Sequence, residues 1–386
     1  MDYPNIYCLC SELMIHITHF LNDRFKMSFF MTCTDIYKLR KHATYTNCYD
    51  FNKIRDLIFY HKFIRVRNIP SIKFINKYMT YISFSDSFNE EIIGCLPESL
   101  TYLKFGNKFN KPLLRILNED KNQLDNHEIK EFKILENIYQ SLLDDEQFKS
   151  SNNIYYSLLD HKQVELALGP NIKHLYFGSN FNQNIIGCLP NSIQDLYFGF
   201  DFNQALKKYK KGKKDNSIVI TAIPFGVKNL CFGKNFNQDI SECIPDTVKY
   251  LQIPEGYQGD LMGVLPVSIN RLEIPNRCVG QYVVPETIKY LKITGIIGME
   301  KIKYIPVSVT DLSIELINND NNFLSFLLDE KFKNIKTINL KSYQFLNCIV
   351  PENIKSIIIS IEFNVFNKYH NIKLSSPDTK IYINYD

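Results

Sequence analysis

Prolines mark a repeating pattern of apolar positions along most of the chain. The third, sixth and eighth residues after Pro190 are apolar, and the same spacing follows most of the other anchoring residues. Most intervals between neighbouring anchors are 19 to 21 residues. Such a period is typical of a solenoid, in which similar coils stack on one another. The anchors are Pro97, Pro170, Pro190, Pro224, Pro245, Pro266, Pro285, Pro306, Phe332 and Pro351.

The sixth and eighth positions predict one short strand in each coil. They are separated by a single residue, which is the alternation of a strand with one buried face. Glycines that end a strand often follow, as Gly106 and Gly233 do. We therefore expect parallel strands about 4.8 Å apart, with the sixth positions in one buried column. That column includes Leu196, Leu230, Leu251 and Leu272.

The segment that returns from one strand to the next has its own signature. A Phe-Asn pair recurs there, and Gln follows it at Gln183, Gln204 and Gln238. The rings can stack as a spine through the coils. The amides can bond backbone groups of the neighbouring coil. The pairs are Phe88-Asn89, Phe109-Asn110, Phe181-Asn182, Phe202-Asn203 and Phe236-Asn237, and Tyr257-Gln258 takes the same place in the next coil.

Two of these segments resemble a known family. LPNSIQDLYFGFDFNQ (189–204) and IPFGVKNLCFGKNFNQ (223–238) are similar to FNIP repeats, relatives of leucine-rich repeats found in giant viruses and slime moulds. The resemblance covers residues 70–386 and fades to the proline frame after Pro254. It implies an α+β repeat protein whose main part is a parallel-β solenoid of repeats of about 21 residues.

Three other segments lie between or before these coils. Residues 111–168 interrupt the repeat with apolar residues near helical spacing, which predicts a helical insertion. Residues 205–221 predict a polar, lysine-rich loop. Residues 46–69 predict a helical linker, because Ile54, Leu57 and Ile58 are three and four residues apart.

Residues 1–45 lack the proline frame and predict a helical head. Apolar residues at Leu13, Ile17, Phe20 and Leu21 share a helix face, and Asn22-Asp23 ends that helix. The head resembles an F-box, although Cys10 stands where that motif has proline. The matching residues are Leu9, Glu12-Leu13, Ile17, Phe20-Leu21, Asp23, Met27-Ser28-Phe29 and Thr32-Cys33.

An F-box implies docking to Skp1, a subunit of cullin ubiquitin ligases. The resemblance thus implies a substrate-recognition adaptor, monomeric within a hetero-complex, whose solenoid holds an unknown target protein. The alternative is a non-catalytic scaffold or decoy for host proteins, with the head acting only as a solenoid cap. The Skp1-binding residues that the resemblance implies are Leu9, Leu13, Ile17, Phe20, Leu21, Met27, Phe29 and Cys33.

The fifth and seventh positions of the coils point away from the buried column if each strand alternates. They are polar or aromatic and differ between coils, which suits protein recognition. An ordinary solvated sheet face remains the alternative. The predicted target-binding residues are Tyr102, Lys104, Tyr197, Tyr250, Arg271, Glu273, Tyr290 and Lys292.

Catalytic and metal chemistry is not indicated. Cys95, Cys188 and Cys243 each stand two residues before an anchoring proline, so they are expected to be buried apolar positions rather than ligands. The sequence has no phosphate loop, nucleophile elbow or HExxH motif. We therefore expect no enzymatic activity, no cofactor and no metal.

Composition places the protein in the cytoplasm or nucleus, of a host cell if it is viral. No signal peptide or long apolar span is evident, and ten cysteines without a signal indicate reduced thiols. The net charge of +4 does not demand a polyanionic partner. Six lysines between Lys207 and Lys214 allow a nuclear-import or nucleic-acid patch, although a solvated loop is the simpler interpretation.

Overall fold

The computed structural model describes residues 9–116, 164–211, 217–280, 283–296, 299–315, 329–341, 349–350, 352–361, 373–374 and 378–385. The chain divides into two compact units, Met1–Gln183 and Asn184–Asp386, and we describe each by itself. Both units are built mainly from one parallel strand per coil, and a small helical region precedes the strands of the first unit. The fold is therefore an α+β repeat fold.

The head contains three short helices, α1 (Ser11–Thr18), α2 (Asp23–Phe30) and α3 (Thr34–Lys38). Asn22 begins α2, since its side chain accepts a hydrogen bond from the Phe25 backbone N–H at 3.0 Å. The helices enclose a small core of Met14, Phe30, Ile36 and Ala43. Single-turn 3₁₀ helices lie at Leu39–Lys41, Tyr60–Lys62, Ile72–Phe74, Asn276–Cys278 and Glu330–Phe332.

The predicted linker helix over residues 46–69 is wrong. This segment holds β1 (Tyr49–Asp50), one helical turn, α4 (Phe51–Ile54), and β2 (Arg65–Ile69). Val66 is fully buried and pairs with Ile82 of the following strand. Apolar residues three and four apart fit a helical turn followed by a buried strand as well as a helix, so spacing alone was ambiguous here.

The first unit continues with β3 (Tyr81–Phe84), β4 (Tyr102–Lys104), β5 (Leu114–Ile116), β6 (Val164–Leu166) and β7 (His174–Tyr176). Its parallel strands follow the order β1-β2-β3-β4-β7. β5 and β6 form a separate antiparallel pair at the ends of the predicted helical insertion. Residues 117–163, which carry the expected helical spacing, lie outside the described residues.

The elements of the second unit are β8 (Asp195–Tyr197), β9 (Lys207–Lys211), β10 (Ser217–Thr221), β11 (Asn229–Cys231), β12 (Tyr250–Gln252), β13 (Arg271–Pro275), β14 (Tyr290–Ile296), α5 (Met299–Ile302), β15 (Asp311–Glu315), β16 (Thr337–Lys341), β17 (Ile349–Val350), β18 (Ser356–Ile361), β19 (Lys373–Leu374) and β20 (Lys380–Tyr385). Its parallel sheet follows the order β8-β11-β12-β13-β14-β15-β16-β18-β20. β17 and β19 form a small parallel pair of their own.

The predicted lysine-rich loop over residues 205–221 is not a simple loop. β9 and β10 form an antiparallel ribbon in which Lys207 pairs with Thr221. The Lys207 ammonium reaches the Asp239 carboxylate at 2.7 Å and the Ser241 hydroxyl at 2.6 Å, so the base of the ribbon is tied to the next coil. Four consecutive β-branched residues, Ile218 to Thr221, supply the strand preference that the lysines obscured.

The predicted buried column is confirmed. Leu196 pairs with Leu230, Leu230 with Leu251, and Leu251 with Leu272, and all four side chains have 0% exposure. In the first unit, Ile82, Leu103 and Leu175 stand in register in the same way. Apolar burial along this column is the principal stabilising contribution of each unit.

The predicted spine and amide bonds are also confirmed. The rings of Phe202 and Phe236 stack with centroids 6.1 Å apart, and Tyr257 continues the stack at 6.3 Å. The Asn203 side-chain oxygen accepts from the Asn237 backbone N–H at 2.9 Å, and Asn237 repeats this with Gln258 at 2.8 Å. Each coil thus satisfies a backbone donor of the next coil.

A second ladder was not predicted. A Ser or Thr two residues after the anchor donates its hydroxyl to the backbone of the preceding coil. Ser268 bonds the Val248 carbonyl at 2.8 Å, and Ser308 bonds the Ile288 carbonyl at 2.8 Å. The sequence shows this ladder as a hydroxyl residue that recurs two positions after the anchor, at Ser99, Thr247, Ser268, Thr287 and Ser308.

Close contacts between backbones of neighbouring coils, and not only the end of each strand, require glycine after the strands. A Cβ atom on Gly233 would lie 1.6 Å from the Gly199 carbonyl oxygen. A Cβ on Gly178 would lie 1.9 Å from the Gly106 carbonyl oxygen. These backbones approach so closely that only glycine fits at the ninth position of such coils.

Candidate recognition surfaces

Helix α1 buries one face and leaves another in solvent. Met14 and Thr18 face the core, with exposures of 8% and 0%. Leu13 is 43% exposed and Phe20 is 80% exposed. Leu13 and Ile17 lie one helical turn apart on α1. Phe20 follows in the turn after the helix, where its backbone N–H bonds the Ile17 carbonyl at 3.1 Å, and we call these three residues the apolar stripe. An apolar stripe in solvent on so small a head is a candidate docking surface.

The structure divides the eight residues that the F-box resemblance implied. Leu9, Met27, Phe29 and Cys33 pack against the core of the head and are only partly exposed. Leu13 and Phe20 are open to solvent, and Ile17 and Leu21 are half-buried. Further exposed apolar residues escaped the sequence interpretation because periodicity does not report exposure. They are Phe25, Met31 and Tyr37.

A buried ion pair joins the head to the first strand. Lys26 and Asp23 lie 2.9 Å apart, with side-chain exposures of 2% and 1%. The Asp23 carboxylate accepts from the backbone N–H groups of Thr46 and Asn47 at 2.8 and 2.7 Å, and from the Tyr49 hydroxyl at 3.1 Å. Burial alone would raise the pKa of Asp23. The hydrogen bonds and Lys26 outweigh it and lower that pKa, so the carboxylate stays charged.

In each unit, one side of the sheet presents the fifth and seventh residues of the coils; we call this side the strand face. In the first unit, Tyr81 stacks on Tyr102 with ring centroids 4.1 Å apart, and Tyr176 lies 5.2 Å from Tyr102. Lys104 is exposed beside them. These aromatic side chains pack on one another and leave half-buried edges, so the strand face is more than a row of isolated solvated side chains.

In the second unit, the strand face carries a basic and aromatic group on β12, β13 and β14. The Arg271 guanidinium lies 5.2 Å from the Tyr250 ring centre and 4.9 Å from that of Tyr290. Glu273 is 8% exposed and accepts from the Tyr250 hydroxyl at 2.7 Å. Its other oxygen binds Lys292 at 2.9 Å. Burial and the bond to Glu273 raise the pKa of Tyr250, so the phenol stays protonated as a donor.

Of the predicted target-binding residues, five come together in this group. Tyr250, Arg271, Glu273, Tyr290 and Lys292 occupy adjacent, in-register strands. Tyr197 lies two strands away on β8, opposite Cys231. Tyr102 and Lys104 belong to the other unit. The prediction named Glu273 as a surface contact, but it is a buried acceptor that organises its neighbours.

Two of the three repeated cysteines are buried as predicted, whereas Cys95 is only half-buried. Cys188 and Cys243 are 3% and 1% exposed, and burial raises the pKa of each thiol to about 12. A protonated thiol is a poor nucleophile and a poor metal ligand. No cluster of three or more potential metal ligands occurs among the described residues. No helix within the described ranges is long and apolar enough to cross a membrane.

The repeat family with this architecture matches much of the described chain. The FNIP repeat family matches residues 52–108, 88–117, 165–201, 181–209 and 215–256. In these segments the chain is similar to FNIP repeats. The first matched residues lie in the segment predicted to be a helical linker, where the structure has strand β2.

Proteins of Acanthamoeba polyphaga mimivirus are similar to parts of the chain. An uncharacterised protein is 35% identical over 98 residues, which is 24% of this chain and 30% of that protein. A protein provisionally named F-box and FNIP repeat-containing protein is 42% identical over 53 residues, 14% of this chain and 18% of its own length. One provisionally named F-box protein is 31% identical over 91 residues, 24% of this chain and 36% of its own. The aligned segments therefore span little more than a third of these relatives at most.

One solved structure is also similar. It is the crystal structure of CroV588, described as a novel circular LRR protein, at 19% sequence identity and a TM-score of 0.42. The similarity covers 78% of this chain and 43% of that protein.

Proposed function

We propose that this repeat protein is a substrate-recognition adaptor of a Skp1-cullin-F-box type ubiquitin ligase. In this proposal the head docks a Skp1-like protein and the strand face holds a target protein. The chain itself performs no catalysis and needs no cofactor or metal. It acts in the cytoplasm or nucleus, where ubiquitin ligases work.

The observation that carries the proposal is the exposed apolar stripe of α1. A three-helix head has a core of four buried apolar residues, yet it leaves Leu13 and Phe20 in solvent. Exposing such side chains is unfavourable unless a partner covers them. Two mimivirus relatives that match parts of this chain carry F-box in their provisional names, which supports an F-box interpretation of the head.

Capture of purified Skp1 by the full-length protein tests the head. We expect the wild type to retain Skp1 and the double variant Leu13→Asp/Phe20→Asp to retain at least tenfold less, because two carboxylates cannot be buried in an apolar interface. The matched control is Met262→Asp/Val267→Asp. Met262 and Val267 are 60% and 75% exposed, and they lie far from the head in the chain.

Two results would end the adaptor proposal. One is a wild-type protein that retains no Skp1. The other is equal retention by the Leu13→Asp/Phe20→Asp variant and the control variant. Circular dichroism melting of all three proteins checks that the fold is intact, which is expected because the substituted side chains are exposed.

A solenoid cap is the second candidate role for the head, and the Asp23 ion pair favours it. The head is tied to Thr46, Asn47 and Tyr49 just before and within the first strand, as a terminal cap is. If capping is the only role, Asp23→Asn destabilises the protein, and neither the wild type nor any variant captures Skp1. In that case the protein is a scaffold or decoy whose strand face alone binds a partner.

A further inference from the structure

Three basic side chains lie on adjacent strands of the second unit. Lys249 directly precedes β12, Arg271 begins β13, and Lys289 directly precedes β14. All three are exposed. Because Tyr250, Arg271 and Tyr290 stand in register and neighbouring strands are about 4.8 Å apart, the three residues begin within about 10 Å of backbone.

The Arg271 side chain is positioned by two neighbouring tyrosine rings. Its guanidinium lies near the rings of Tyr250 and Tyr290, at 5.2 and 4.9 Å from their centres. Contact with the rings restricts the side chain but leaves its N–H donors without a protein acceptor, since Arg271 makes no hydrogen bond or ion pair within the described part of the chain. A restrained guanidinium loses little rotamer entropy when it binds.

The neighbouring charges do not neutralise this group. Glu273 is already engaged by Tyr250 and Lys292, at 2.7 and 2.9 Å. Lys249 and Lys289 follow Asp246 and Glu286 by three residues, but neither lysine makes an ion pair with them among the described residues. Arg271 is therefore an exposed cation beside aromatic rings, and Lys249 and Lys289 are exposed cations at the starts of the two neighbouring strands; we call these three residues the basic patch.

We propose that this patch, Lys249, Arg271 and Lys289, is a binding site for a short acidic segment of the target protein. This rests on the proposed function, since it names the target chemistry that the strand face selects. Arg271 binds one carboxylate through two parallel N–H donors, and the lysines bind the carboxylates on either side. The tyrosines provide the apolar walls that are common at interface hot spots.

The borders of the patch favour a short acidic peptide over a nucleic acid. In the same row of positions, Asp195 lies three strands before Arg271 and Asp311 lies two strands after it. A long polyanion running across the coils meets these carboxylates at both ends. A segment of a few acidic residues fits between them.

Fluorescence anisotropy with a labelled Gly-Ser peptide containing four consecutive glutamates tests the site on the full-length protein. We expect binding that is at least tenfold tighter than that of the matched peptide with four glutamines. Arg271→Ala and Lys249→Ala/Lys289→Ala should each weaken binding at least tenfold. Arg271→Lys should also weaken it, because a lysine cannot bind a carboxylate through two donors.

Arg277→Ala is the matched control, since it removes an exposed arginine from the same coil, and it should change binding less than twofold. Equal binding of the Glu and Gln peptides overturns the site, as does an Arg271→Ala variant that behaves like Arg277→Ala. Tighter binding of a twelve-nucleotide oligo-dT than of the Glu peptide, lost in Arg271→Ala, also overturns it in favour of a nucleic-acid site. Skp1 capture by the same proteins separates the outcomes. If the Glu peptide does not bind but Skp1 is captured, the adaptor role stands without the acidic site. If the Glu peptide binds but Skp1 is not captured, the acidic site stands without the adaptor role.

Discussion

The coils fall into two kinds that are joined in different ways. The Phe-Asn coils, up to Tyr257-Gln258, have the ring spine and the amide ladder. Within the described residues, the plain coils from β13 onward show neither. In the Phe-Asn coils β4, β7, β8, β11 and β12 span three residues, whereas β13, β14, β15, β16, β18 and β20 span five to seven. Where the ring spine and the amide ladder end, the backbone ladder grows longer.

The boundary between the two kinds lies at one position. Tyr257 ends the stack of rings, and Cys278 takes the same place in the next coil. Val279 stands at the place of Gln258, and its backbone N–H bonds the Asn276 carbonyl of its own coil at 3.1 Å instead of a side-chain amide of the preceding coil. The ninth position changes as well, from Gly233 to residues such as Thr294, which continue the strand. One repeat frame thus accepts two ways of satisfying the same backbone groups.

The largest expected effect is loss of a spine ring. Phe236→Ala should lower the free energy of unfolding by about 4 kcal/mol, because it removes a fully buried ring between two others. Cys278→Ala, at the equivalent place in a plain coil, should cost about 1 kcal/mol. Urea unfolding followed by circular dichroism measures both, and equal losses would contradict the distinction between the two kinds of coil.

The second largest expected effect is steric crowding where the backbones of two coils approach closely. Gly233→Ala places a methyl 1.6 Å from the Gly199 carbonyl oxygen and should cost about 3 kcal/mol as the coils move apart. Gly169→Ala is the control, because a Cβ there meets nothing within 4 Å, and it should change stability by less than about 0.5 kcal/mol. Thermal melting compares them. A Gly233→Ala variant as stable as the control shows that the approach is not needed.

Breaking one rung of the amide ladder should have a smaller effect. Asn237→Ala removes the acceptor of the Gln258 backbone N–H and should cost about 1 kcal/mol, because solvent reaches this exposed bond. Hydrogen exchange at the Gln258 amide should accelerate. Asn270→Ala in a plain coil serves as the control and should leave that exchange rate unchanged.

The hydroxyl ladder is common to both kinds of coil, so its removal should not distinguish them. Thr247→Val in a Phe-Asn coil and Ser308→Ala in a plain coil each remove one hydroxyl donor to the preceding coil. Each should cost about 0.5–1 kcal/mol. A much larger loss at Ser308 in urea unfolding would mean that the plain coils depend on this ladder more heavily.

The repeat frame was readable from the sequence because one apolar period recurs often enough to exclude accident. Leu196, Leu230, Leu251 and Leu272 are buried in one column as predicted, and the Phe-Asn pairs stack and bond as predicted. The glycines were identified for a weaker reason than the true one, because contact between backbones of different coils leaves no trace in local sequence. The hydroxyl ladder was visible at a fixed position and was overlooked.

Isolated segments were harder to predict. Residues 46–69 have no repeated neighbour to fix their interpretation, and apolar spacing favoured a helix where Val66 is a buried strand residue. On the strand face, periodicity identified Arg271 and Tyr290 but could not show that Glu273 is buried and engaged. That property depends on side chains from three strands, which no single stretch of sequence contains.

The amide ladder also explains how the chain can be lengthened. Asn182 bonds Asn110 at 3.0 Å although 72 residues separate them, and Asn237 bonds Asn203 across 34 residues. The antiparallel pairing of the strands at 114–116 and 164–166 places the two ends of the intervening segment next to each other. Extra sequence can therefore enter at a hairpin without changing how consecutive coils meet, so such hairpins are natural points for grafting a foreign module onto the array.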